Sequence, residues 1–237
     1  MDHDHTPEGI RARLAEGPRH SYLRDWIFGG IDGAVTTFAI VSGVVGAQLS
    51  GGIILILGFA NLLADGLSMA ASNFLGTRSE REELEHFEAT EHSHIDAFPE
   101  GEREEVRQIY REKGLEGEVL ERVTEAITAD RTRWVRTMLT YEYGLPGSIR
   151  SAWLAALSTF SAFVICGLVP LVPFLLGAER AFPIACVLTA LVFFAIGSIK
   201  SRWSIRPWFR SGLETLLVGA VAAIAAYAVG ALLKNLA

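Results

Sequence analysis

Five runs of apolar residues, at about 26–47, 53–75, 151–176, 181–199 and 212–233, punctuate this chain. A helix that crosses the hydrocarbon core of a bilayer needs roughly 20 such residues, so each run predicts one transmembrane span. Between the second and third runs lies a polar stretch of about 70 residues, in which Glu, Arg and Leu favour helix. One helix is expected over 77–95. Phe98-Pro99 interrupts it, and Pro99 suits the first position of a second helix ending near Gly114. A third should run from about Gly117 to Tyr143 and stop at Gly144-Leu145-Pro146-Gly147. The pattern therefore predicts an all-α integral membrane protein: five transmembrane helices with a three-helix cytoplasmic insertion between spans 2 and 3. The expected segments are 1–24 (cytoplasmic), 25–76 (spans 1 and 2), 77–147 (the insertion) and 148–237 (spans 3 to 5).

Basic residues orient these segments. Arg11, Arg13, Arg19 and Arg24 precede span 1, and Lys200, Arg202, Arg206 and Arg210 separate spans 4 and 5. The loops at 48–52 and 177–180 hold Arg180 alone. By the positive-inside rule the N-terminus and the insertion face the cytoplasm and the C-terminus faces outward. Residues 1–24 lack the apolar centre of a secretory signal, so span 1 is expected to act as an uncleaved signal. The short N-terminus leans toward a bacterial plasma membrane. Cys166 and Cys186 both fall in spans, at a spacing that matches no zinc or redox motif.

Two carboxylates interrupt the spans. An aspartate at mid-bilayer costs on the order of 2.5–3.5 kcal/mol on insertion scales, so Asp32 and Asp65 call for a polar path, a partner or an ion. Asp32 has an alternative reading, a helix-start aspartate near the interface, satisfied by water and backbone N–H groups. Asn61, Asp65, Met69 and Asn73 recur every four residues, with Ser68 and Ser72 beside them, and so form one polar stripe. Such a stripe can hold helices together, or it can line a cation path. A carboxylate next to a thioether suits a borderline-soft ion such as Fe(II) better than Mg or Ca. Span 1 is also rich in glycine (Gly29, Gly30, Gly33, Gly43, Gly46), which permits close helix packing around Asp32.

The insertion concentrates the chain's acidity. From Ser79 to Glu142 it holds 18 acidic residues against 9 basic ones, a local charge of −9, whereas the whole chain carries −6. A solvated helix face is the default explanation for such a run, but the spacing suggests more. Glu85, Glu88 and Glu91 recur every three residues ahead of His94, Glu102 and Glu105 repeat that spacing, and Met138 and Glu142 lie one turn apart. Residues three or four apart share a helix face, so three packed helices could gather these groups into one metal cluster. His94 must be neutral to act as a ligand, so metal binding is expected to weaken as pH falls. The tail Met1–His5 also holds two histidines, too short a pattern to specify a site.

The chain resembles the vacuolar iron transporter family of eukaryotes and its bacterial relatives over nearly everything after residue 22. The resemblance rests on Asp32-Gly33, Leu67-Ser68-Met69-Ala70, Ser79-Glu80-Arg81-Glu82, and Pro99-Glu100-Gly101-Glu102 through Ile109-Tyr110-Arg111-Glu112-Lys113-Gly114-Leu115. It continues with Pro170-Leu171-Val172-Pro173-Phe174, and with the segment from Leu213-Glu214 to Tyr227-Ala228-Val229-Gly230. It implies a homodimer, a bacterial-type member of the family, and export of Fe(II) from the cytoplasm in exchange for protons. Asp32 and Met69 of both subunits would carry the ion, and Glu91, Glu102, Glu105, Met138 and Glu142 fall at cytoplasmic ligand positions. Mn(II), Co(II) and Zn(II) suit the same donors. This chain departs from the family in having His94 where glutamate is common and Leu139 where an acidic ligand is common. It also has Ser72-Asn73-Phe74 in place of Gly-Glu-aromatic.

Three other functions compete. Glu83-x-x-His86 and Glu91-x-x-His94 echo di-iron oxidases, but such sites need the motif on two helices of a four-helix bundle. An intramembrane aspartyl protease would use Asp32 and Asp65 as a dyad, without the fitting motif context. A membrane-anchored metal sensor would bind metal without moving it. No nucleic-acid partner is expected.

Overall fold

The computed structural model describes residues 4–16, 20–203 and 205–234; Met1, Asp2 and His3 of the tail, and Arg19, lie outside them. The described residues fold into helices: α1 (Pro7–Glu16), α2 (Leu23–Gly46), α3 (Gly51–Ala97), α4 (Pro99–Glu112), α5 (Gly117–Thr128), α6 (Arg131–Tyr141), α7 (Ala152–Leu168), α8 (Val172–Leu175), α9 (Ala181–Lys200) and α10 (Trp208–Leu233). Short 3-10 turns at Val169–Leu171 and Ser201–Trp203 join α7 to α8 and follow α9. The chain forms two compact units, Met1–Phe74 with Trp153–Ala237, and Leu75–Ala152.

The first unit contains the five helical segments long and apolar enough to cross a membrane, or the greater part of them: Leu23–Gly46, Gly51–Ala97, Ala152–Leu175, Ala181–Lys200 and Trp208–Leu233. Large apolar side chains point outward along them. Ile56, Leu63, Val187, Leu191, Val221 and Ile224 are each more than half exposed, an arrangement that water penalises and lipid accepts. The protein is a multi-pass integral membrane protein. As the prolines of span 3 predict, α7 gives way at Pro170 to a 3-10 turn before α8, because proline lacks the N–H of the helical ladder.

Glycine sets how closely these helices pack. A Cβ on Gly33 of α2 would strike the backbone carbonyl of Phe163 on α7, and one on Gly230 of α10 would strike the carbonyl of Gly43 on α2. Phe38, Val41, Leu62, Phe163 and Leu171 fill the core that this contact closes.

The second unit begins on α3, and here the structure differs from the sequence pattern. Span 2 and the helix expected over 77–95 are one continuous helix of 47 residues. No proline lies between Gly51 and Phe98, and the helix-favouring charged residues propagate the ladder past Gly76. The third insertion helix, expected over 117–143, is instead two. Asp130 caps α6, its carboxylate accepting the Arg133 N–H at 2.9 Å, and that local bond diverts the backbone from α5. The stop at Gly144 is as expected. Its φ of +67° lets the Leu145 N–H turn back to the Leu139 carbonyl at 2.8 Å. Ile95, Val106, Ile127, Trp134, Val135, Met138 and Leu139 form the apolar core of the unit.

Candidate functional site

In the first unit, packing decides which way Asp32 faces. Gly29 and Gly33 bring one face of α2 against Thr159 and Phe163 of α7, and Asp25, Asp32 and Thr36 lie on the side turned to α3. Polar groups of α2 and α3 then meet in antiparallel register. The Asn61 amide donates to Thr36 Oγ1 at 3.1 Å, and the Thr36 hydroxyl donates to the Asp32 carbonyl at 2.9 Å. One turn further along, Asp32 and Asp65 approach closely enough for their charges to repel. At the same end as Asp25, the Asn73 amide donates to the Asp25 carboxylate at 2.9 Å, to Thr159 Oγ1 at 2.7 Å and to the Ala155 carbonyl at 3.2 Å.

The polar stripe therefore serves two purposes. Asn61 and Asn73 spend their amides holding helices together, the role that interhelical amides commonly take in lipid. Asp32 and Asp65 do not. Among the described residues neither carboxylate has a hydrogen-bond or ion-pair partner, although both are half-buried. Two facing carboxylates without counter-charges are costly in a bilayer, and a cation or a proton relieves both at once. Met69, one turn beyond Asp65, packs partly buried against the apolar core, so its thioether lies on the helix that carries Asp65.

Asp25 went unremarked in the sequence because it precedes the apolar run. It is only 3% exposed. The available signal was its spacing: Asp25 and Asp32 are seven residues apart, two turns of one helix face.

In the second unit, α3, α4 and the end of α6 gather most of the predicted ligands. Glu91 is fully buried near the end of α3 and Glu102 nearly so on the first turn of α4. His94 Nδ1 stands 3.6 Å from an oxygen of each. Glu105 and Glu142 lie close enough to act on the charge of the same group. One Glu91 oxygen accepts the Tyr143 hydroxyl at 2.9 Å, whereas Glu91 Oε2 and Glu102 Oε2 are buried without a partner. Tyr143 was not singled out in the sequence, and its place directly after Glu142 was the only hint.

Burial, and then the charges of Glu91, Glu105 and Glu142, push the Glu102 carboxyl up from its ordinary value to about 7. Glu142 is raised by burial and by Glu91 and Glu105. Tyr143 is raised too, first by burial and then by its bond to Glu91. These shifts share one origin, negative charge crowded into a site of low polarity.

Two other predicted ligands, Met138 and Glu88, have different surroundings. Met138 is fully buried in the apolar core with Ile95 and Val106. Glu88 is exposed and lines a separate cleft of about 120 Å³ with His92 and Arg136. Among the described residues no three His, Cys, Asp or Glu side chains stand in ready-made coordination geometry.

A family model described as the VIT family matches residues 23–231. The chain is 33% identical over 229 residues to the vacuolar iron transporter of Toxoplasma gondii, covering 90% of this chain and 74% of that protein. It is 30% identical over 216 residues to vacuolar iron transporter 1 of Arabidopsis thaliana, covering 90% and 86%. It is 32% identical over 234 residues to vacuolar iron transporter 1 of Oryza sativa subsp. japonica, covering 95% and 88%.

Proposed function

This chain belongs to the VIT family, and on that premise we propose that it exports Fe(II) from the cytoplasm in exchange for protons. The observation that carries the proposal is the pair Asp32 and Asp65, two carboxylates facing each other across spans 1 and 2 with no counter-charge among the described residues. A carboxylate takes up either a metal ion or a proton, so one pair can serve both directions of an exchange. Fe(II) entering between them neutralises the pair, and protons arriving from the far side displace it. Met69 supplies a soft donor one turn away, which favours Fe(II), and after it Mn(II), Co(II) or Zn(II), over Mg or Ca. A second copy of the chain contributes the same Asp32 and Met69 across a homodimer axis. The three relatives are transporters by name, which speaks against the oxidase and protease readings. They are eukaryotic and named for the vacuole, and so lend nothing to a bacterial plasma-membrane placement.

The test is Fe(II) flux into proteoliposomes under an imposed pH gradient. Flux should rise as the gradient steepens and carry protons the other way. Metal binding without flux would leave the sensor reading in its place, and flux indifferent to the gradient would remove the exchange. In the same assay Met69→Leu, which keeps volume and apolarity, should lower Fe(II) flux about tenfold while leaving the protein folded, since it removes only the sulfur. Unchanged flux would take Met69 off the path.

The cytoplasmic cluster supplies the path in this reading: Glu91, His94, Glu102, Glu105 and Glu142 hold Fe(II), and Tyr143 orients Glu91. Its pH dependence has a definite sign. Glu102 in the folded unit titrates at about 7, above the ordinary 4.5 of a glutamate. Stability contributed by its neutral form is therefore complete below about pH 4.5 and is lost as pH rises through about 7. Fe(II) needs the anion, so affinity runs the other way and rises across that window. Calorimetry with a Co(II) surrogate at about pH 6 and about pH 8 should show at least tenfold tighter binding at the higher pH. Glu102→Gln should weaken binding at the higher pH and flatten the slope, whereas the exposed Glu118→Gln should do neither. An unaltered titration in Glu102→Gln would take Glu102 out of the metal site.

A further inference from the structure

Ser21, Leu23, Arg24, Ile27, Phe28 and Ile31, with Lys200 at the end of α9, line an open cleft of about 540 Å³ in the first unit. That volume is within the roughly 300–1,000 Å³ of small-molecule sites. It belongs neither to the carboxylate pair nor to the acidic cluster. Leu23, Ile27, Phe28 and Ile31 make its floor apolar, and the polar groups stand at one end.

Three features identify what fits. Arg24 and Lys200 have no carboxylate partner among the described residues. The exposed Arg24 guanidinium lies 5.4 Å above the Phe28 ring, over the apolar floor. The Ser21 Oγ accepts the Leu23 N–H at 3.3 Å, and its own proton is available to donate. The start of α2 and the end of α9 are on one side of the bilayer, because three crossings separate the first span's exit from the fourth span's end. The basic residues put that side in the cytoplasm.

We propose that this cleft binds an anionic glycerophospholipid of the cytoplasmic leaflet, its phosphate between Arg24 and Lys200 and an acyl chain along Leu23, Ile27, Phe28 and Ile31. Basic pockets between transmembrane helices on the cytoplasmic side are suited to anionic headgroups. An apolar protein surface laid over the cleft would bury two cations without counter-charges, which is costly; a lipid brings its own counter-charge.

The test is native mass spectrometry of the full-length protein released from vesicles of equal phosphatidylglycerol and phosphatidylcholine. Phosphatidylglycerol should be retained about 30-fold over phosphatidylcholine, the ratio that two basic side chains confer near an anionic surface. An Arg24→Gln/Lys200→Gln double variant should lose that preference, an Arg24→Lys/Lys200→Arg variant should keep it, and Arg180→Gln on the opposite side should not alter it. Equal retention of both lipids, or a preference that survives the glutamine pair, would overturn the proposal. So would displacement of the lipid by inorganic phosphate, which lacks an acyl chain. The same spectra report the oligomer: a dimer that dissociates in the glutamine pair while lipid retention stays constant would assign the cleft to a second copy of the chain and likewise overturn it.

Discussion

Asp32→Asn is expected to bring Fe(II) flux in proteoliposomes to background, a loss of more than about 100-fold, while the protein elutes from a sizing column unchanged. Losing a mere supporting group around a metal costs roughly 10–100-fold in affinity, and an anionic ligand contributes more. Asparagine keeps the shape of aspartate but neither the charge nor the capacity to take a proton. The fold does not depend on that charge. The Asp32 carboxylate has no bond to lose among the described residues, and the contact that Thr36 makes is to the Asp32 backbone carbonyl, which the variant retains. Asp65→Asn should also impair flux. Both variants remove the repulsion between the two carboxylates, so each should raise thermal stability slightly even as transport is lost. Wild-type flux in Asp32→Asn would sink the path outright.

Gly33→Val is expected to have the largest effect on folding. The new side chain would press on the Phe163 carbonyl of α7, a backbone group held by its own helix and unable to move aside as a flexible side chain could. Overpacking of a well-filled core costs about 1–3 kcal/mol and occasionally more, and a backbone collision belongs at the upper end. The variant should aggregate on extraction into detergent or melt well below the parent, and Gly33→Ala should be intermediate. Gly76→Ala provides the contrast. Nothing lies within 4 Å of a Cβ there, and Gly76 sits within the continuous α3, so alanine should stabilise the helix by about 1 kcal/mol. A Gly33→Val protein that melts like the parent would show that α2 and α7 are not packed as closely as described.

Much of this was legible along the chain. The five apolar runs needed only their length to be read as spans, because a bilayer imposes one dimension on every helix that crosses it. Pro99, Pro170 and Gly144 ended or reshaped helices where their own backbone chemistry requires it. Asp32 and Asp65 stood out because charge in lipid is expensive wherever it occurs. Glu91 and His94, three residues apart, share one face of α3, with His94 Nδ1 3.6 Å from a Glu91 oxygen.

What the pattern could not reveal were relations between helices. Asn61, Asp65, Met69 and Asn73 look alike as a stripe, yet Asn61 and Asn73 are bound to neighbouring helices and the Asp65 carboxylate is not. The continuity of α3 through Gly76, and the break of the third insertion helix at Asp130, were balances between weak local preferences. Asp25 and Tyr143 acquired their places only when α3 came to lie beside α2 and the end of α6 folded back on α3. The raised carboxyl of Glu102 is likewise a property of its surroundings, since burial and three other carboxylates produce it. Periodicity along one helix determines which side chains share a face. Which faces meet, and so which charges are paired and which are left for an ion, is decided only by the packing of several helices at once.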